Sequence, residues 1–253
     1  MRELIGRKLQ ALPPERNIRI LYACESGSRA WGFPSADSDF DVRFIYCHPP
    51  DWYLSIDEQK DTIELPISEE LDLGGWELRK ALRLFRGSNP VVFEWLQSPI
   101  VYQQADGFAG DLRQLMAAYS NPRKIIHHHL GLIRKIISET EGKPEMTLKK
   151  YFYLLRSLFS AIWVRDQETI PPMEFAMLRQ VTDENRELNE LLDNWLALKK
   201  TGDETAAIPR HATVDSLIRT EAGYCEHHAR QFVSPPETEP LNRFFRAVIT
   251  GSI

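Results

Sequence analysis

The stretch "ESGSRAWGFPSADSDFDVRFIY", Glu25 to Tyr46, holds a Gly-Ser pair, a second glycine-bearing turn, and three aspartates within five residues ahead of an apolar run. Side chains two apart on a strand share a face. Asp39 and Asp41 therefore point one way, while Phe40 and Val42 point toward a core. Like charges placed so closely repel, and a divalent metal is one candidate to offset them. Carboxylate oxygens suit Mg²⁺, which keeps waters or substrate phosphates in the rest of its shell. Upstream, Gly27-Ser28 closes an apolar strand and opens a short helical stretch, "SRAWG". Glycine lets the backbone approach a ligand closely. Backbone N–H groups at a helix start favour phosphate, and the Ser28 hydroxyl adds a donor. One strand end thus offers a phosphate cradle and the next a metal site. Together they suit metal-assisted phosphoryl or nucleotidyl transfer.

Outward from this stretch, the first hundred residues alternate between strand and helix patterns. Residues 2–12 read as a short amphipathic helix stopped by Pro13-Pro14. "IRILYAC", Ile18–Cys24, and "FDVRFIYC", Phe40–Cys47, read as buried strands. "DTIELP" and "EELDLGG" are shorter strand candidates. "WELRKALRLFRG", Trp76–Gly87, has helical spacing and ends on a glycine suited to a C-cap. "NPVVFEWLQ" starts with Asn89 as N-cap and Pro90 in the first turn, and "PIVYQ" is a last short strand. From about Ala105 the strand signals vanish. Helical patterns follow over residues 106–118, 121–140, 145–166, 173–200, 212–231 and 237–249, broken at Pro171-Pro172, Pro209 and Pro235-Pro236. The expectation is an α+β chain: a small mixed sheet domain over residues 1–104, then a helical domain over 105–253.

The chain has 253 residues, 43% of them hydrophobic, enough to bury a core. Its net charge of −5 argues against tight non-specific binding to nucleic acid and leaves room for a local basic groove. Cys24, Cys47 and Cys225 form no CxxC pair and read as reduced thiols in a cytoplasm. The N-terminus lacks a signal-peptide core, and no run of about 18 apolar residues suggests a membrane span.

Gly-Ser, ten intervening residues and Asp-x-Asp between apolar neighbours resembles the nucleotidyltransferase motif of the DNA polymerase β superfamily. The fuller string is similar to one branch, the predicted nucleotidyltransferases of the YcgL/RlaP type, associated with RNA ligases. The resemblance continues in "GWELRKALRLFRGSNPVVFEWLQSPIVY", "KKYFYLLRSLFSAIWV", "PPMEF" and "LNRFFR", and so covers most of the chain. Two departures stand out. Ser26 occupies a position often apolar in the superfamily, and Asp37 exceeds the minimal motif. Asp37 reads as a turn residue bonding its own backbone.

The resemblance implies a Mg²⁺-dependent transfer of a nucleoside monophosphate from an NTP to a hydroxyl, with pyrophosphate leaving. It implies two Mg²⁺ ions, with Mn²⁺ as a substitute, held by Asp39, Asp41 and a third carboxylate on a later strand. Asp72 fits that role, with Glu64 the alternative. Gly27 and Ser28 would hold the β and γ phosphates. Arg29 either touches phosphate or is an exposed helix residue. Arg43 either pairs with the carboxylates or reaches a phosphate. Lys149, Tyr153 and Arg156 share a helix face and would meet triphosphate or base in a groove closed by the helical domain. The acceptor is open between an RNA 3′ end, a protein hydroxyl and a small hydroxylated molecule. A non-catalytic NTP sensor and an inert helical module are the other readings. His127-His128-His129 cannot converge on one ion, because successive helical residues diverge by about 100°. The chain carries no GxxxxGK[ST] or GxSxG, which counts against P-loop and α/β-hydrolase chemistry.

Overall fold

The computed structural model describes residues 1–67, 70–202, 207–229 and 236–251. In chain order the elements are α1 (Arg2–Arg16), β1 (Arg19–Ser26), α2 (Gly27–Trp31), β2 (Phe40–Cys47), α3 (Pro50–Tyr53), β3 (Thr62–Glu64), β4 (Leu71–Glu77), α4 (Leu78–Arg86), α5 (Pro90–Gln97), β5 (Val101–Gln104) and α6 (Phe108–Tyr119). There follow α7 (Pro122–Thr140), β6 (Glu145–Thr147), α8 (Leu148–Gln167), α9 (Phe175–Leu178), a 3₁₀ turn (Arg179–Thr182), α10 (Arg186–Thr201), β7 (Ala207–Pro209), α11 (Ala212–His228) and α12 (Glu239–Thr250). The fold is α+β, as the sequence implies. Residues 230–231 of the expected 212–231 helix, Pro235 and Glu69 lie outside the described residues.

The chain forms two compact units. One comprises Met1–Gly27, Asp39–Tyr119 and Pro235–Ile253; the other comprises Ser28–Ser38 and Ser120–Ser234. The sequence reading draws a single boundary after residue 104. In the structure α6 and α12 belong to the unit that holds the sheet.

In that unit the sheet order is β3-β4-β2-β1-β5. β2 and β4 run parallel, and every other neighbour pair is antiparallel. Val42, Phe44 and Tyr46 of β2 face the same side as Leu71 and Leu73 of β4. On that side Ile5, Leu9 and Leu12 of α1 cover them. The 4-3 spacing of those three residues makes one apolar stripe on α1. Pro13 and Pro14 do not stop this helix. It continues to Arg16 and ends at Asn17, a left-handed residue at φ 51° whose N–H bonds Pro13 O. The pair lacks the amides that would bond Leu9 O and Gln10 O, while Pro13 O still accepts from the Asn17 and Ile18 amides and closes the last turn.

On the opposite face Trp76 of β4 stacks on Trp95 of α5, ring centroids 4.0 Å apart. β4 runs directly into α4 through Glu77, which is buried. The Glu77 carboxylate accepts from the Arg79 and Lys80 amides at 2.8 and 3.4 Å and from the Tyr53 hydroxyl at 2.5 Å. It therefore caps the free amides of the helix start. Burial raises its pKa, and those hydrogen bonds pull the other way. At the other end, Gly87 follows α4 with φ −71°, so it caps without the left-handed turn its identity suggests. Asn89 caps α5 as expected, accepting from Val91 N at 2.9 Å.

The second unit is mainly helical, but a short β6–β7 pair interrupts it where the sequence suggested no strand. Met146 and Thr147 sit in that pair, and Thr147 then caps α8. In the three-histidine run, only His129 is buried. Neither of its ring nitrogens has a hydrogen-bond partner among the described residues. All three cysteines are buried and free.

Two predictions follow from the packing. Gly75 lies opposite Phe44 in the parallel register, and a Cβ there would stand 2.3 Å from the ring. Gly75→Ala is expected to cost about 1–3 kcal/mol, read as a lower urea midpoint. An unchanged midpoint would mean that the Phe44 ring yields freely. His129 is held neutral: desolvation, then the positive neighbours His128 and Arg156, push its pKa well below the ordinary value. The unfolded chain takes up that proton below about pH 6.5 and the folded chain does not. Stability should therefore fall as pH drops through about 6.5. His129→Leu should flatten that fall, measured as urea midpoints at about pH 7.5 and 5.5. An equally steep fall in the variant would place the acid sensitivity elsewhere.

Candidate active site

The site starts where β1 and β2 meet. Antiparallel pairing sets Ser26 opposite Asp41 and Glu25 opposite Val42. The chain then turns at Gly27, which has φ +60°. A Cβ at this position would lie 2.0 Å from Asp41 Oδ2. The glycine is thus required twice, by its left-handed backbone and by the carboxylate pressed against it. The Gly-Ser turn and the Asp-x-Asp strand are in direct contact at this point.

Beneath them lies Glu25, fully buried. Its Oε1 accepts from the Asp41 backbone N–H at 2.8 Å, and its Oε2 accepts from the Tyr102 hydroxyl. Ser98 Oγ donates to Glu25 O at 2.7 Å. Three elements therefore fix the backbone that carries Asp41. The sequence reading passed over Glu25. Its signal is an acid inside an apolar strand run, just before the turn.

The parallel register of β2 and β4 sets Asp41 directly beside Asp72. Neighbouring strands lie about 4.8 Å apart, so the two carboxylates repel. Arg43, two residues along the same face, bridges them. Its Nη2 reaches Asp72 Oδ2 at 2.7 Å and Asp41 Oδ1 at 3.3 Å, and its Nη1 donates to Asp72 O at 3.1 Å. The three side chains are 23–35% exposed, so the pair is open to solvent. Asp39 sits just before β2 and is exposed. Glu64 is one strand further out, exposed and opposite Gly74.

The donor chemistry fits a hard divalent cation: two adjacent carboxylates, partly solvated, with a third acid two residues away. In this geometry, however, Arg43 neutralises the pair. No group of three His, Cys, Asp or Glu side chains converges as a metal site among the described residues.

The remaining candidates belong to the second unit. Ser28 is buried, and its carbonyl accepts from Gly32 N and Phe33 N. Arg29 Nη2 donates to Ser38 O at 2.6 Å, which ties the residues after the turn to those just before Asp39. On α8, Tyr153 meets the Trp31 ring edge-on at 5.0 Å, and the Arg156 guanidinium lies over the same ring at 4.2 Å. Arg156 is buried, with only 5% of its surface exposed. Lys149 is half-buried in the first turn of α8. Trp31, which no sequence signal marked, therefore joins α2 to Tyr153 and Arg156.

The mixed five-stranded sheet, with its Gly-Ser turn packed on an aspartate that pairs with a second aspartate on the neighbouring strand, belongs to a chain of the DNA polymerase β family of nucleotidyltransferases, as comparison with known families shows. Residues 1–247 match the family described as RlaP, RNA repair pathway DNA polymerase beta family, and the chain belongs to it. It is 39% identical over 245 residues to a protein called "Uncharacterized protein YcgL" from Bacillus subtilis (strain 168), spanning 96% of this chain and 94% of that one. Among solved structures, a nucleotidyltransferase-like protein from Exiguobacterium sibiricum aligns over 96% of this chain and 80% of its own, at 12% identity and a TM-score of 0.31.

Gly27→Ala is expected to destabilise the fold by roughly 2 kcal/mol, combining left-handed strain with displacement of Asp41. Gly32→Ala separates these terms, because Gly32 has φ +89° and nothing within 4 Å of its Cβ position. Urea titration should show the Gly27 variant well below the Gly32 variant. Equal midpoints would mean that the Asp41 contact contributes nothing.

Proposed function

We propose that this protein transfers a nucleoside monophosphate from an NTP to the 3′ hydroxyl of an RNA, releasing pyrophosphate. The observation that carries the reading is the pairing of Asp41 with Asp72 in register, with the Gly27 turn against Asp41. Asp39, Asp41 and Asp72 would hold Mg²⁺, or Mn²⁺ in its place. The ion's contribution is to offset charge on the entering and leaving oxygens.

The chain's own residues do the rest. Asp72 stands nearest the entering hydroxyl and takes its proton as the oxygen bonds the α-phosphorus. The bond from that phosphorus to the β-phosphate oxygen breaks, and pyrophosphate leaves with the electron pair. Gly27 and Ser28 present backbone amides to the β and γ phosphates at the start of α2. Arg43 serves as the counter-charge of the aspartate pair and as a phosphate ligand. Arg29, Lys149, Tyr153 and Arg156, all in the second unit, would supply that unit's own contacts to the nucleotide, with Arg156 acting through Trp31. The RNA acceptor rests on the family's RNA repair description. The three buried free thiols suit a reducing cytoplasm. No helix among the described residues is long and apolar enough to cross a membrane.

Arg43 bridging both aspartates favours a second reading, a sensor that binds NTP without transferring it. Both readings face one experiment. With α-labelled NTP and Mg²⁺, label is expected to enter RNA, and Asp41→Asn or Asp72→Asn should lower the rate about 100-fold or more. Label in protein or in a small hydroxylated molecule would change the acceptor. Bound NTP with no labelled product would select the sensor, and full activity in an Asp41→Asn/Asp72→Asn double variant would falsify the site.

A further inference from the structure

The groove between α4 and α12 has no part in the site above. Both helices belong to the sheet-bearing unit. The groove encloses about 280 Å³, and its lining includes Arg79, Arg83 and Arg86 with Leu82, Leu241 and Phe245; among the described residues no acid lines it. α4 is strictly two-faced. Leu78, Ala81, Leu82 and Phe85 are buried, while Arg83 and Arg86 reach solvent with no ion pair among the described residues. Lys80 on the same helix is already paired with Asp61. The three arginines run along one side at 4- and 3-residue spacing, about 10 Å from first to last.

The opposite wall is well anchored. Phe108 of α6 packs on Phe244 of α12 at 5.6 Å, the Tyr119 hydroxyl donates to Glu237 O at 2.7 Å, and Arg19 donates to Val248 O at 2.6 Å. Phe245 is half-buried at the groove, and the Arg79 guanidinium lies over its ring at 5.6 Å. Arg79 neighbours Glu77, and Arg79 and Arg83 also line the adjoining cavity with Asp57, Glu58 and Asp61, whereas Arg83 and Arg86, exposed beside an aromatic ring, match the chemistry of single-stranded nucleic acid. Phosphates meet the cations and an unstacked base meets the ring. A chain of net charge −5 otherwise repels such a strand, so Arg83 and Arg86, exposed and without an ion pair among the described residues, are a specific feature of this groove.

We propose that the α4/α12 groove binds the single-stranded backbone of the RNA acceptor, with Arg83 and Arg86 on consecutive phosphates and Phe245 under a base. The proposal rests on the RNA acceptor assigned above and adds where the strand is gripped. The test is binding of a short fluorescent single-stranded RNA to the full chain without NTP, followed by anisotropy across a salt series. Arg83→Ala/Arg86→Ala is expected to weaken binding roughly tenfold or more and to flatten the log–log salt slope by about 1.4, at about 0.7 per lost phosphate contact. Arg83→Lys/Arg86→Lys should restore the slope, which a merely structural defect would not allow. Phe245→Leu should weaken binding several-fold with the slope unchanged. Duplex RNA should compete poorly.

Unchanged affinity and slope in the alanine variant would overturn the groove, as would equal competition by duplex. Because binding is read without NTP, the two proposals can fail separately. RNA held in the groove with no label transferred to any acceptor would remove the transferase reading alone. Label transferred to another acceptor with no RNA bound would remove the groove.

Discussion

The parallel pairing of β2 with β4 is the constraint on which the candidate site depends. A parallel pair cannot be joined by a tight turn, so after Cys47 the chain crosses over through α3, enters the sheet edge as β3 and turns back into β4 at Leu71. That excursion through α3 and β3 brings Asp72 level with Asp41. Side-chain alternation then does two things at once. Val42, Phe44, Leu71 and Leu73 enter the core beneath α1, and Asp41 and Asp72 are left together on the other face. A slip of one residue in either strand would bury a carboxylate and expose a core side chain. Burial of the apolar set therefore enforces an electrostatically unfavourable pair. The cost is met locally by Arg43, whose guanidinium reaches both acids.

The same pairing makes Gly75 and Gly27 necessary in different ways. Gly75 yields space to Phe44 so that the parallel strands can close, whereas Gly27 yields space to Asp41 at the end of β1. Glu25 then holds the Asp41 amide from below. A carboxylate buried under another carboxylate's backbone costs desolvation unless it is hydrogen-bonded. Its partners, the Asp41 amide and the Tyr102 hydroxyl, come from strands on both sides of β1, so the bond network ties three strands at the site.

Much of this is legible in residues 25–46, because strand alternation and turn chemistry are local. The limits of β2, the N-cap at Asn89 and the apolar stripe on α4 all follow from spacing alone. What spacing does not disclose is register between distant strands. Leu71 and Leu73 mark the core side of β4, but only the pairing sets Asp72 rather than Glu64 beside Asp41. The continuation of α1 through Pro13-Pro14 is not legible from spacing, because proline ordinarily ends a helix and only the Pro13 O bonds to Asn17 and Ile18 show that this one goes on. Glu25 and Trp31 escaped for a related reason. Their importance lies in Tyr102, Tyr153 and Arg156, partners separated from them by many residues. β6 and β7 are three residues each, too short for any periodicity to register.

Net charge and local charge therefore have to be read separately in this chain. The excess of acids sums to −5, yet within the sheet-bearing unit Arg83 and Arg86 stand exposed without an ion pair among the described residues. Acids gather at the start of β2 and β4, where Asp39 precedes β2 and Arg43 bridges Asp41 and Asp72. Bases gather on α4, the helix that β4 runs straight into through Glu77. The solvent face of α4 is basic because its other face is filled by Leu78, Ala81, Leu82 and Phe85, which leaves charged residues only the outward positions. Fields from separated clusters are screened within about 8–10 Å at ordinary salt. A cation-seeking face and a phosphate-seeking face can then coexist on one acidic protein, which a single polyanionic substrate bound with metal-held phosphates would require.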